Sequence, residues 1–291
     1  MAIQPEHKAA PGPITAIDTH AHVFERGLPL ATRRRYAPRY DAPLPDYLAQ
    51  LDAHGISHGV LVQPSFLGTD CRYLLRALAL APERLRGVAV IDPACPPTCN
   101  PAHLDAMHRA GVVGIRLNLF DAPDPRFDDP VWHATLGHLG RLGWHVEVHV
   151  EAKRLAGIVE PLLEHEVRIV VDHFGRPDPA LGVEDPGFRY LLSLGRTGRV
   201  WVKISGAYRN GVEAVATAFA RVAADALKHE FGVERLVWGS DWPHTQFEQT
   251  ERFERALRVL DAVVRDERER RAVLVSTPAR LFNFGQGSTP P

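Results

Sequence analysis

The sequence predicts one α/β domain over residues 1–291, folded as a single (β/α)8 TIM barrel. Eight short apolar, β-branched runs alternate with helix-like stretches, as repeated βα units do. The polar residues capable of chemistry come late in those runs, and strand ends are where barrel enzymes keep their chemistry. The first run closes on His20-Ala21-His22 instead of the glycine-rich turn usual in an open doubly wound sheet, the main rival architecture.

In chain order the strands are expected at 17–24, 58–65, 85–92, 112–120, 145–151, 168–174, 199–206 and 235–243. Their composition suits parallel strands covered on both faces, and eight such units close naturally into a barrel. Helices are expected at 45–54, 70–81, 101–110, 130–142, 153–165, 186–194, 211–228 and 250–261, each following a strand. A last helix at 266–275 leads into Ser276-Thr277-Pro278, after which 279–284 packs down; 1–15 and 285–291 are expected to be flexible ends.

Bulk properties narrow the function. Hydrophobic residues at 45% and charged residues at 24% are the balance of a globular enzyme. Lys and Arg number 34 against 35 Asp and Glu, so no basic excess exists to attract nucleic acid or anionic lipid. No run approaches the roughly 20 apolar residues of a membrane span, and the opening stretch lacks the apolar core of a signal peptide, so a cytoplasmic location is expected. Cys71, Cys95 and Cys99 are read as free thiols; the spacing of the last two, in the proline-rich turn 93–101, is a weak zinc signal. The expected partner is a small anionic substrate, with a homo-oligomer left open.

His20 and His22 lie two apart on a strand, so both point to one face and can reach one metal. The fifth run, His145-Val146-Glu147-Val148-His149-Val150-Glu151, puts ionisable side chains on one face and valines on the other. Such a face is costly to bury unless its groups are paired or bound to metal. His173 ends the sixth run and Asp241 the eighth, at the same rim. His20, His22, His149 and Asp241 form a suitable shell for one divalent ion, zinc or alternatively manganese, with room for a water whose pKa the ion lowers. Asp241 and His173 are the expected proton-handling residues.

The fourth run ends Arg116-Leu117-Asn118, and the seventh continues Lys203-Ile204-Ser205-Gly206-Ala207-Tyr208-Arg209. Arg116 and Arg209 are candidates to clamp a substrate carboxylate, with Asn118 or Tyr208 giving direction. Salt bridges to Asp or Glu are the alternative for both. Whether Lys203 pairs with Glu147 or touches substrate is open. Arg33-Arg34-Arg35-Tyr36 can form a loop over the mouth, with Tyr36 the better substrate contact and Arg33 and Arg34 read as solvated. Ser65, Gln63 and Thr69 are further candidates for lining the site.

These motifs resemble the amidohydrolase superfamily, through Ile17-Asp18-Thr19-His20-Ala21-His22, His149, Val171-Asp172-His173 and Trp238-Gly239-Ser240-Asp241-Trp242-Pro243. Within it, 59–65, 143–146, 173–178 and Trp242-Pro243-His244 look like the branch of pyrone dicarboxylate hydrolase and related lactonases. The resemblance implies a distorted barrel of the amidohydrolase type, hydrolysis of a lactone or similar ester, and arginines that bind substrate carboxylates. In the zinc members the matching residues, His20, His22, His149 and Asp241 here, hold the metal, and the match of His173 acts in catalysis. The pyrone dicarboxylate enzyme is a metal-independent member with tyrosine where this chain has His149, a departure that favours metal here. Where binuclear members carry a bridging lysine on strand four, this chain has Arg116 and Asn118, which implies one metal.

The leading expectation is a mononuclear metal-dependent hydrolase that opens a carboxylated lactone by metal-activated water. The alternatives are a zinc-dependent decarboxylase of an unsaturated acid, which would release carbon dioxide instead of a proton, and a non-catalytic anion-binding barrel.

Overall fold

The computed structural model describes residues 12–211 and 213–285. Eight parallel strands run in sequence order around one sheet: β1 Ile17–Ala21, β2 His58–Val62, β3 Leu85–Ala89, β4 Val112–Asn118, β5 His145–His149, β6 Arg168–Val171, β7 Val200–Lys203 and β8 Leu236–Val237. All the expected strands exist, and β1, β2 and β5 are buried along their whole length, as parallel strands between a core and a helical layer must be. The helices are α1 Leu44–Ala53, α2 Arg72–Leu80, α3 Pro96–Cys99, α4 Pro101–Arg109, α5 Pro130–Arg141, α6 Leu155–Leu163, α7 Pro186–Ser193, α8 Glu213–Phe231, α9 Phe253–Val263, α10 Glu267–Arg271 and α11 Thr277–Leu281. Three of them start alike. Asn100, Asp129 and Asp185 each accept a backbone N–H of the first turn through the side chain, with a proline next in sequence at the first helical position.

The proline-rich 93–101 stretch, read as a turn, contains the short α3; Cys95 is exposed, and Cys71 and Cys99 are buried free thiols. The last helix, expected at 266–275, is broken, because α10 passes into a π-type turn at Ala272–Ser276 before α11. The final segment does pack down. Leu281, Phe282 and Phe284 join Ile17, Val60, Val62, Val88, Val170 and Val237 in one buried cluster that seals one end of the barrel. Of the ends expected to be flexible, 1–11 and 286–291 lie outside the described residues, whereas the Thr15 N–H donates to Ser57 Oγ at 2.9 Å and its hydroxyl to the Gly55 carbonyl at 2.7 Å. No helix among the described residues is long and apolar enough to cross a membrane.

The eighth strand departs most from expectation. β8 holds two residues where 235–243 was expected, because the chain beyond Val237 leaves the regular ladder and bonds back to β1. Thr19 N–H donates to the Trp238 carbonyl at 3.0 Å, Asp241 N–H to His20 at 2.8 Å and His22 N–H to Trp242 at 2.8 Å. A Cβ on Gly239 would sit 2.5 Å from the His20 Cβ, so only glycine permits this approach. The barrel thus closes irregularly, and that irregular seam carries the histidine pair and Asp241.

Candidate active site

Alternation on the strands brings the ionisable groups inward. Asn118 pairs with His149 across β4 and β5, and Arg116 with Glu147. Beside β1, the ligand atoms of His20, His22 and Asp241 lie within 4.8 Å of one another, and all three residues are buried. His20 Nε2 and His22 Nε2 each stand 3.8 Å from Asp241 Oδ1. The His22 Nδ1 lies 2.7 Å from the Val62 carbonyl oxygen, which can only accept, so Nδ1 carries the proton and Nε2 offers its lone pair. His149 is fixed the same way, with Nδ1 3.1 Å from Asn118 Oδ1. His20 Nε2, His149 Nε2 and Asp241 Oδ1 are buried without a hydrogen-bond partner.

Charge states suit a cation. Burial holds the imidazoles neutral: His22 is pushed down to about 4 and His173 to about 3, and His20 and His149 fall well below the usual range. Burial opposes the charge on Asp241, but the Arg209 guanidinium outweighs it and keeps the carboxyl well below the usual carboxylate range. Arg209 Nε donates to Asp241 Oδ2 at 2.7 Å and the Tyr208 hydroxyl at 2.6 Å, leaving Oδ1 facing the histidines. Neutral imidazoles, two of them (His22 and His149) with the proton on Nδ1 and a free Nε2 lone pair, and an ionised carboxylate are protonation states that suit a divalent metal, so the residues fit one. His149 is outside the tight His20, His22 and Asp241 group. Its ring lies 5.1 Å from that of His173, which in turn is 4.7 Å from His20.

His173 Nδ1 is 2.9 Å from Ser205 Oγ, and its Nε2 is 3.8 Å from Asp241 Oδ2. Both His173 and Asp241 have positive φ, 51° and 62°, a region costing non-glycine residues about 1–3 kcal/mol. The same backbone corner needs Gly206, whose φ is 56° and where a Cβ would meet His173 Nδ1 at 2.8 Å.

Above this floor opens a narrow cleft lined by His22, Arg35, Tyr36, Pro64, Ser65, Arg116, Asn118, His149, His173, Arg209, Thr245 and Gln246. Arg116, Arg209, Tyr36, Asn118 and Ser65, though not Tyr208, therefore reach one cavity. Arg116 and Arg209 do so while paired to acids: Arg116 Nε and Nη2 both lie 2.9 Å from Asp172 Oδ2. Lys203 is fully buried and pairs with Glu147 Oε1 at 2.5 Å, 3.0 Å from His20 Nδ1, which answers the question left open by the sequence. Gln63 does not line the cleft; its amide donates to the Gly68 and Asp70 carbonyls, holding the loop that carries Ser65, and Thr69 is likewise absent from the lining. Sequence reasoning assigned no role to Asp172 or Asp18. Asp172 orients Arg116, and Asp18 accepts from Ser240 N–H at 2.8 Å and its hydroxyl at 2.6 Å, fixing the residue before Asp241. Their only signal was position, Asp18 two residues before His20 and Asp172 directly before His173.

The amidohydrolase family model matches residues 17–284. The chain belongs to this family. A 4-sulfomuconolactone hydrolase of Rhizobium radiobacter is 34% identical over 280 residues, 93% of this chain and 90% of that protein. Two crystal structures described as candidate 2-pyrone-4,6-dicarboxylic acid hydrolases superpose closely. One, from Pseudomonas putida, has 50% identity and a TM-score of 0.87, covering 94% of this chain and 99% of that one. The other, from Acinetobacter baumannii with citric acid bound, has 39% identity and a TM-score of 0.88, covering 92% and 99%.

Proposed function

We propose that the chain is a hydrolase that opens a carboxylated lactone, dependent on one divalent metal, zinc in this reading. The observation that carries it is the gathering of His20, His22 and Asp241 ligand atoms within 4.8 Å of one another, with His20 Nε2 and Asp241 Oδ1 buried and unpartnered, beside a cleft rimmed by guanidinium groups. These three residues would hold the ion, with His149 as the fourth candidate. Bound there, a divalent metal supplies Lewis acidity toward a carbonyl oxygen and lowers the pKa of water.

The chain's own groups supply the rest. Arg209 and Arg116 bind a substrate carboxylate and set the lactone against the floor, with Tyr36, Asn118 and Ser65 completing the walls. Asp241, fixed by Tyr208 and Arg209, receives a proton from the attacking water and passes it to His173 Nε2, 3.8 Å from its Oδ2; His173, held by Ser205, delivers that same proton to the ring oxygen as the acyl C–O bond breaks. The products are a carboxylate, a hydroxyl and one released proton. Relatives named for hydrolysis of sulfomuconolactone and of pyrone dicarboxylate, and a structural neighbour with citric acid bound, support a multiply charged, small substrate.

Elemental analysis of the purified protein, with a pH-indicator screen of carboxylated lactones before and after chelation, tests the reading. About one zinc per chain and acid release that chelation abolishes are expected. Turnover by metal-free protein would overturn the metal dependence and make Asp241 the sole activator of water; carbon dioxide release from an unsaturated acid would establish the decarboxylase instead.

A further inference from the structure

The imidazoles at the floor do not share one tautomer. His22 and His149 carry the proton on Nδ1, because that nitrogen faces a carbonyl oxygen in each case, Val62 of the backbone and the Asn118 amide. His20 is held the other way. Its Nδ1 lies 3.0 Å from Lys203 Nζ, and an ammonium can only donate, so Nδ1 accepts and the proton sits on Nε2. Two acids flank the same ammonium and keep it in place, Glu147 Oε1 at 2.5 Å and Asp172 Oδ1 at 3.5 Å. The Nε2 that this leaves carrying hydrogen is the one 3.8 Å from Asp241 Oδ1, and it has no hydrogen-bond partner.

A ring nitrogen that carries hydrogen has no lone pair for a cation, so in this tautomer His20 cannot ligate through Nε2. The second arrangement is already built beside the first. Asp172 gives its Oδ2 to Arg116, while its Oδ1 stands 3.4 Å from His20 Nδ1 and is buried without a hydrogen-bond partner. With the proton on Nδ1, Asp172 accepts it and Lys203 keeps Glu147; a carboxylate behind the imidazole is the usual support of a metal-bound histidine. Burial holds the ring neutral in both forms. One proton leaves Nε2 as one is taken up at Nδ1, and the charge of the site does not change.

We propose that His20 is a two-position switch: Lys203 holds it as the Nε2–H tautomer in the metal-free protein, and uptake of a divalent cation moves the proton to Nδ1 and hands the ring from Lys203 to Asp172. The inference rests on the proposed metal site and adds the residue that opposes loading. Lys203 is thus a positioning residue that acts through His20 and weakens the hold on the ion by the cost of the exchange.

Nitrogen NMR of the imidazole rings reads the tautomer directly, with His20 assigned from the signals absent in His20→Gln. Chelator-treated wild-type protein is expected to show Nε2–H at His20 and Nδ1–H at His22 and His149, and zinc chloride to convert His20 to Nδ1–H. Lys203→Met combined with Glu147→Gln, which strands neither charge, is expected to show His20 as Nδ1–H before any metal is added and to bind zinc at least about tenfold more tightly. Nδ1–H at His20 in the chelated wild type overturns the switch. So does tighter zinc binding by the double variant with the tautomer unchanged, since loss of a nearby positive charge accounts for that alone. Zinc bound with His20 still Nε2–H overturns the switch and leaves the metal reading standing, whereas no zinc bound by the wild type overturns the metal reading and the handover to Asp172 together.

Discussion

At Arg116 one side chain serves two ends, and its partner decides what a substitution does. Its Nε and Nη2 are committed to Asp172, which is wholly buried, and the group also faces the cleft. Arg116→Met is expected to raise KM for a carboxylated lactone and to lower unfolding stability by about 3 kcal/mol, because it leaves a buried carboxylate short of a partner. Steady-state kinetics and denaturant midpoints read the two effects independently. An unchanged KM with lost stability would make Arg116 a purely structural cation. Arg209 differs in that its acid, Asp241, is one of the proposed metal ligands, so the proposed carboxylate clamp and the charge of the floor are linked through one guanidinium.

The strands impose the next constraint. On β5 the alternation that presents His149 to the cleft also drives His145 and Glu147 into the dry interior, where Glu147 Oε2 and His145 Nδ1 find no partner. β7 answers with Lys203, whose ammonium bonds Glu147 and stands 3.5 Å from Asp172 Oδ1, above the Phe282 ring. Removing one member of such a pair strands the other charge. Lys203→Met is therefore expected to cost about 3–5 kcal/mol in urea unfolding, and adding Glu147→Gln to restore part of the loss. A single variant as stable as wild type would show that water or relaxation satisfies Glu147.

For the molecule as a whole, the buried imidazoles set the response to acid. His22 and His244 titrate at about 4 and His173 at about 3 when folded, against about 6.5 in an unfolded chain, so between these values the unfolded state binds more protons. Stability of chelator-treated protein is thus expected to be full above pH 6.5 and to fall as pH drops toward 4. Asp18 opposes this, because burial raises it to about 6 and the folded state gains protons there between pH 6 and 3.8. Three histidines outweigh one carboxyl. Chemical unfolding at pH 7 and pH 5 checks the sign; equal or greater stability at pH 5 would contradict it.

The sequence by itself determined the repeated βα order, the inward faces of β1 and β5, and the placing of His20, His22, His173 and Asp241 at one rim. These are local facts, carried by residue type and by a period of two along each strand. Only the closed barrel decided the pairings. Arg116 meets Asp172 across 56 residues, Arg209 meets Asp241 across 32, and Lys203 meets His20 across 183, and nothing in spacing ranks one acid above another. Nor does sequence distinguish Arg35 from Arg33 and Arg34; it is the position of Phe120, on a different loop, that makes the third arginine part of the mouth. Tertiary structure likewise shortened β8, since the Asp241 corner exists only because the chain must turn from β7 to bond with β1.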